Sequence, residues 1–343
     1  MPDNSIEFED NFKKQFKYYK ANRVKPSFHD VMSVDVLKDN EVITVTPLNA
    51  ETDPRGALLG LQKQSLWHTF AFQNHPGLLL IRNPFTNAGQ RYWIQRCLQE
   101  YPKKPNKLNI DIETNVQDWW LECFKDGECN RVLQKKLRWT TLGYHHNWDT
   151  KVYSDESRTP FPEDLLELSD VVAQYLGYTN FKAEAAIVNY YHMDSTLSAH
   201  TDHSEVNLEA PLLSFSFGQS AIFLIGGKNK SIEPSAILLQ SGDIIIMSNE
   251  ARLCYHAVPR IVPTEFSPWN HENLEIPDNT SSVVNFKYIS NPSQLIAVME
   301  KCINNEMWNQ FNNYIEESRI NMNVRQVLNE SQISITDEKF NNK

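Results

Sequence analysis

Apolar and polar positions change their period along this chain, and the changes divide it. From Phe12 to Lys25, the residues Phe12, Phe16 and Tyr19 recur among Lys13, Lys14, Lys17 and Lys20. That spacing predicts a basic amphipathic helix with one apolar stripe, docked on the main body with its lysines in water. Val31 to Ser65 carries only a weak signal and is expected to be irregular or extended. From Trp67 to about Glu128, short apolar runs such as Leu78–Ile81 mix with helical patterns such as Tyr92–Tyr101. A mixed α/β front end follows. After about Glu184 the text becomes a series of short β-rich runs, AAIVNYYH, PLLSFSFG, AIFLIGG, AILLQ, GDIIIMS and HAVPRIV, divided by Gly, Pro and Ser. Leu213, Phe215 and Phe217 alternate with Ser214 and Ser216, the period-2 pattern of a half-buried strand. Such runs close together predict an antiparallel sandwich or barrel. Near the end Leu295, Met299, Ile303, Met307, Phe311 and Ile315 recur every four residues, as in one amphipathic helix on the core.

Composition narrows the function classes. Hydrophobic residues make up 41% of the 343, ample for a packed core. A formal charge of −10 excludes a protein that coats nucleic acid with its whole surface, so any such partner must be gripped by local basic patches. Candidate patches are Lys103, Lys104 and Lys107, then Lys135, Lys136 and Arg138, then Lys228 and Lys230. The second stands out because it directly precedes the W-T-T motif at Trp139. The five cysteines (Cys97, Cys123, Cys129, Cys254, Cys302) form no C-x-x-C pair and are expected to be plain thiols. No apolar run reaches the roughly 18–20 residues that span a bilayer, so no membrane partner is expected. Asp3, Glu7, Glu9 and Asp10 make the N-terminus unlike a mitochondrial presequence or a secretory signal, and an intracellular protein is expected.

The sharpest chemical signal is His200-Thr201-Asp202 beside a β-rich segment, with His256 later in Tyr255-His256-Ala257-Val258. Alternate residues of a strand point the same way, so His200 and Asp202 can reach one ion while a later strand brings His256 across. Two imidazoles and a carboxylate on one face of an octahedral metal leave three positions open, the arrangement of non-haem Fe(II) oxygenases. A satisfied core or surface histidine is the plain alternative for each imidazole. Arg319, Asn321, Asn323 and Arg325 alternate with Ile320, Met322 and Val324. Two inward arginines are costly to bury unpaired, and a dicarboxylate cosubstrate solves that through bidentate hydrogen bonds. The polar outer face of an edge strand is the other reading. Asn189 and Tyr191 share a face of an earlier strand and could hydrogen-bond the same cosubstrate.

Taken in order, N-x-Y, H-x-D, the distal His and R-x-N-x-x-x-R resemble the AlkB family of Fe(II)/2-oxoglutarate dioxygenases. LRWTTLGYHHNWDTK, EAAIVNYYHMDSTLSAHTDHSE, SGDIIIMS and RLCYHAVPR are closest to its animal homologue-one branch, and the likeness runs from about Phe12 to about Leu328. It implies an α+β protein with a double-stranded β-helix (jelly-roll) core and an N-terminal helical, nucleotide-recognition extension. The expected division is an extension over 1–66, a supporting and lid region over 67–183, the core over 184–330 with a helical insert near 292–317, and a flexible tail over 331–343. By resemblance His200, Asp202 and His256 would bind iron. Arg319 would bind the distal carboxylate of 2-oxoglutarate, helped by Asn189, Tyr191 and Asn321, with Arg325 near Asp202. Trp139, Tyr144 and Trp148 would serve the lid around an extruded base. His203 and Ser204 stand where relatives carry an Arg and an acidic residue, which bears on base preference; Asn323 replaces a common Thr.

The implied activity uses Fe(II), 2-oxoglutarate and O₂ to hydroxylate methyl groups of nucleic acid. Transfer RNA comes first (1-methyladenine, or 5-methylcytosine at a wobble position) and methylated DNA second. The alternatives are the same chemistry on a methyl-lysine of a basic, histone-like partner, and a lysine-based lyase at abasic sites that no motif fixes. A monomer is expected, in nucleus and cytoplasm with a mitochondrial pool.

Overall fold

Two antiparallel sheets face each other in a jelly-roll sandwich, and the chemistry-bearing residues line the space between them. The computed structural model describes residues 9–36, 42–46, 52–125, 128–274, 276 and 284–337. Asp3 and Glu7, and residues 338–343 of the expected tail, lie outside them. The large sheet runs Val42–Val45, His68–Phe72, Leu78–Arg82, Ile244–Met247, Leu212–Gly218, Ser318–Arg325, Ala185–His192, Trp139–Gly143, Lys107–Leu108. The small sheet runs Ser235–Leu239, Ser220–Ile225, His256–Val262, Leu197–His200. Strands on both sides of residue 184 share the large sheet, so the expected boundary between lid region and core runs through hydrogen-bonded neighbours.

Period-2 alternation divides the large sheet into two buried faces. Val188, Tyr190, Leu213, Phe215, Phe217, Ile244, Ile246, Ile320, Met322 and Val324 join one core cluster with the helices. Those helices are Asn87–Gln95, Glu163–Tyr175, Pro292–Cys302 and Asn305–Ile315. The intervening positions face the small sheet, where Tyr191, Leu212, Phe223, Ile225, Leu239 and Val258 form a second cluster. Leu212–Gly218 is therefore buried on both sides, not half-buried: Ser214 lines an internal cavity and Ser216 is buried against Arg319.

The helix Asn11–Lys20 covers the outer face of the small sheet, burying Phe12 and Tyr19 against Ile222, Leu224, Ala257 and Val262. Arg260 clamps its C-terminus by donating to the carbonyls of Tyr19 and Ala21. Within the weakly patterned Val31–Ser65 stretch lie the strand Val42–Val45 and the short helix Arg55–Leu58. The single helix expected over Leu295–Ile315 is two. Asn304 caps the second by accepting from the Met307 amide, which resets the helical phase. Met307 is consequently 50% exposed and Trp308 is buried in its place. All five cysteines are free thiols. No helix among the described residues is long and apolar enough to cross a membrane.

Candidate metal centre and its cavity

His200 closes the strand Leu197–His200 and His256 opens the strand His256–Val262, and the two are direct cross-strand partners. Their ring centroids lie 4.3 Å apart. Asp202 follows in the loop beyond His200, with its Oδ2 3.6 Å from Nε2 of His256. One nitrogen or oxygen from each of the three lies within 4.8 Å of the others. The hydrogen bonds decide which nitrogens are offered. Nδ1 of His200 contacts the Ser198 carbonyl at 2.9 Å, and Nδ1 of His256 contacts the Cys254 carbonyl at 3.1 Å. A carbonyl only accepts, so each Nδ1 carries a proton, and Nε2 is the nitrogen each ring has left for a metal. Burial, and after it the neighbouring His200, push His256 down to about 4, which keeps it neutral at pH 7.

Burial alone would raise the Asp202 carboxyl, but Arg325 foremost, then His256, His200 and Arg252, hold it well below the ordinary carboxylate range. Arg325 donates from Nη2 to its Oδ1 at 2.8 Å. Two imidazole nitrogens and an ionised carboxylate on one side of an open space fit a divalent metal with further positions free.

That space is a cavity of about 670 Å³ between the sheets. Its floor carries Asn189, Tyr191, Arg319, Asn321, Asn323 and Arg325 from two adjacent strands of the large sheet. Ser318–Arg325 is sixth of nine strands, so the edge-strand reading of its polar face is excluded. Arg319 donates from Nη1 to the Gln219 carbonyl and from Nη2 to Oγ of Ser216, while its Nε has no partner. Burial pulls this guanidinium down to about 10. Asn321 donates to Ser214 Oγ and the Phe215 carbonyl. Burial lifts the Tyr191 hydroxyl to about 12.

The mouth is aromatic. His146, Trp148 and Tyr153 line it, with the His146 ring 4.7 Å from Trp148 and 5.4 Å from Tyr153. Trp148 is 41% exposed at the rim, and Trp139 backs it at 5.2 Å without lining the cavity. Tyr144 is not at the cavity: it is buried, donates to Asp155 and stacks under Arg158. His203 and Ser204 do line it. Of the basic patches, Lys103 and Lys104 are neutralised by Glu100, Asp118 and Asp111, and Lys136 by Glu113. Lys230 lies over the Tyr255 ring, and Lys151 over that of Trp148; both line the cavity. Lys151, His146, Tyr153 and Ser214 line the cavity although the sequence did not mark them as site residues, and Ser216 joins the site only through Arg319. Only His146 and Tyr153, close to Tyr144 and Trp148 in sequence, could have been suspected.

The model of the 2OG-Fe(II) oxygenase superfamily matches residues 77–325. A Mus musculus protein named nucleic acid dioxygenase ALKBH1 is 39% identical over 342 residues, covering 93% of this chain and 84% of its own. A Schizosaccharomyces pombe protein named tRNA demethylase abh1 is 34% identical, covering 75% of this chain and 81% of its own. An Arabidopsis thaliana protein named DNA N(6)-methyladenine demethylase ALKBH1A is 30% identical, covering 76% and 77%. With its His–Asp–His cluster set in a jelly roll, this chain belongs to the 2OG-Fe(II) oxygenase superfamily, in the ALKBH1 branch of the AlkB family, and its cofactors are Fe(II), 2-oxoglutarate and O₂.

Proposed function

We propose that this chain removes or oxidises methyl groups on bases of transfer RNA first, and of methylated DNA second. The observation that carries the reading is the mouth of the cavity. Three rings (His146, Trp148, Tyr153) and two cations (Lys151, Lys230) surround the approach to His200, Asp202 and His256. Rings stack on the face of any base, and cations meet its phosphates. The relatives named as nucleic acid dioxygenase, tRNA demethylase and DNA demethylase support the same substrate class.

His200, Asp202 and His256 would hold Fe(II), which with 2-oxoglutarate and O₂ supplies the hydroxylation of a C–H bond as the keto acid becomes succinate and CO₂. Arg319 would take the distal carboxylate of 2-oxoglutarate, because its buried cation has only neutral partners. Asn321 and Tyr191 border that position, and Asn189 lies beside them. Arg325 keeps Asp202 ionised. A base inside a stack cannot enter a cavity between two sheets, so the target nucleotide is extruded or already unpaired. His146 and Trp148 would receive it, with Tyr153 behind and Trp139 bracing Trp148. Ser204 replaces a fixed negative charge at the base edge, and His203 a fixed positive one, with groups that can donate and accept, which suits more than one methylated base. On an exocyclic or ring nitrogen, the hydroxymethyl product loses formaldehyde; on carbon it persists. Lys151 and Lys230 at the rim disfavour a cationic histone tail.

The test is turnover of total transfer RNA by iron-loaded protein with 2-oxoglutarate and O₂, read as nucleosides by mass spectrometry beside His200→Ala. Loss of 1-methyladenine, or oxidation of 5-methylcytosine, only with the intact cluster is expected. Succinate formation with every nucleoside unchanged, in RNA and in methylated DNA, would overturn the substrate assignment.

A further inference from the structure

Four residues before His256, the turn Asn249–Leu253 carries an arginine named above only for its charge near Asp202. Arg252 is 2% exposed, among the largest fully enclosed side chains of the protein. Its Nη1 donates to the backbone carbonyl of Asp202 at 2.6 Å, and its Nε donates to the carbonyl of Ala210 at 3.1 Å. Its Nη2 meets Oε2 of Glu205 at 3.0 Å. One side chain thus holds both ends and the middle of the loop that follows His200.

Glu205 is equally enclosed. Besides Arg252 it faces Nε of Arg325 at 3.2 Å and accepts from the Tyr153 hydroxyl at 3.2 Å. Arg325 in turn holds the Asp202 carboxylate. The cluster therefore grips Asp202 twice, at its backbone through Arg252 and at its side chain through Arg325, with Glu205 joining the two arginines. The same turn leads into Cys254, whose carbonyl orients His256. Two of the three candidate ligands are thus referred to one short segment of chain.

We propose that Arg252 is the positioning residue of the metal centre: by clamping the loop from Asp202 to Ala210 onto the turn before His256, it sets Asp202 at ligand distance from the two histidines. It touches no reacting atom and acts through Asp202 alone. A loop without regular structure has no ladder of its own to fix Asp202, whereas both histidines sit at strand ends; the arginine supplies what the sheet does not. Lysine cannot replace it, since one ammonium cannot reach two carbonyls and a carboxylate in the planar fork these three acceptors fit. The inference rests on the iron reading of the cluster, so its test is read on metal binding in the absence of O₂ and 2-oxoglutarate.

The experiment is a titration of full-length protein with Mn(II), together with the visible spectrum of the Co(II) form. The variants are Arg252→Lys, Glu205→Gln and Arg260→Lys. Arg260 is the internal control, another arginine that clamps backbone carbonyls from the strand His256–Val262, but at the N-terminal helix. We expect Arg252→Lys to bind Mn(II) roughly 10- to 100-fold more weakly, the range for losing an outer-shell partner, with an altered Co(II) spectrum. Glu205→Gln should weaken binding less. Arg260→Lys should lower the melting temperature and leave metal affinity and spectrum unchanged. Should Arg252→Lys fail to fold, Glu205→Gln carries the test, and wild-type affinity there overturns the proposal. Wild-type affinity in folded Arg252→Lys, or an equal loss in Arg260→Lys, also overturns it. Failure of the unmodified protein to bind metal would instead remove the iron reading itself.

Discussion

The strand Ser318–Arg325 buries an arginine at each end, and the two live in opposite surroundings. Arg325 faces Asp202 and Glu205, and although burial opposes it, those carboxylates hold its guanidinium above the ordinary range. Arg319 has a serine hydroxyl and a backbone carbonyl, and no carboxylate within ion-pair distance among the described residues. Burial pulls it the other way, down to about 10. A buried charge without a counter-ion is costly to keep. The paired end belongs to the protein's own architecture, whereas the unpaired end is the place we propose for a carboxylate of 2-oxoglutarate.

The largest effect should come from cutting the paired end at the metal. Asp202→Ala removes a ligand and leaves Arg325 with Glu205 alone, so succinate formation should fall by about three orders of magnitude or more. Chemical denaturation should show a loss of about 1–3 kcal/mol for the charged hydrogen bond taken from a buried cation. Next comes Arg319→Met. Its KM for 2-oxoglutarate should rise roughly 100-fold, within the range for truncating a buried charge pair. Its melting temperature without ligand should hold or rise, because an uncompensated charge has been replaced by an apolar chain.

Arg325→Met should do the reverse, lowering the melting temperature by about 6 °C or more. Its pH dependence follows from Asp202. With Arg325 present the folded carboxyl lies far below its unfolded value of about 3.9, so its contribution is complete above pH 4 and is lost only in strong acid. Without Arg325 the largest of the charges that hold that carboxyl down is gone, and it rises from its depressed position while burial still pushes it up. The variant's native state then takes up the proton at higher pH than the unmodified protein does, so its deficit should shrink on acidification. A deficit that stays constant down to the onset of acid unfolding would contradict the pairing.

The smallest effect is at Gly218, which turns the chain from the large sheet toward the small one at φ +82°. A Cβ there would come within 2.5 Å of the Ser318 carbonyl. Gly218→Ala should cost about 1–2 kcal/mol and raise the KM for 2-oxoglutarate only a few-fold, by displacing the Gln219 carbonyl that holds Arg319.

Much of this contrast was legible in the residues. Alternation placed Arg319 and Arg325 on one face, H-x-D placed His200 and Asp202 close to one another, and the β-rich text placed both pairs in a sandwich. Three things were not. Ser214 and Ser216 read as a solvent face, because a polar position facing water looks the same in period as one lining an internal cavity, like Ser214, or bonded to a buried arginine, like Ser216. Arg252, Glu205 and Tyr153 come from a turn, a loop and a lid, and nothing in the local spacing of any of them announces the other two. The break at Asn304 was hidden by an apolar repeat that continues across it in sequence though not in helical phase. Tyr144 shows the converse: set between lid residues in sequence, it points into a satellite core with Tyr153, Val327 and Leu328.

The most direct test of the account is a calorimetric titration of 2-oxoglutarate into Mn(II)-loaded protein without O₂, for the unmodified chain and for Arg319→Met. The account predicts one 2-oxoglutarate per chain in the first. In the second it predicts about 100-fold weaker binding with Mn(II) affinity intact. Equal affinity in the two would mean that the unpaired arginine is not waiting for this carboxylate, and the assignment of the cavity would fall with it.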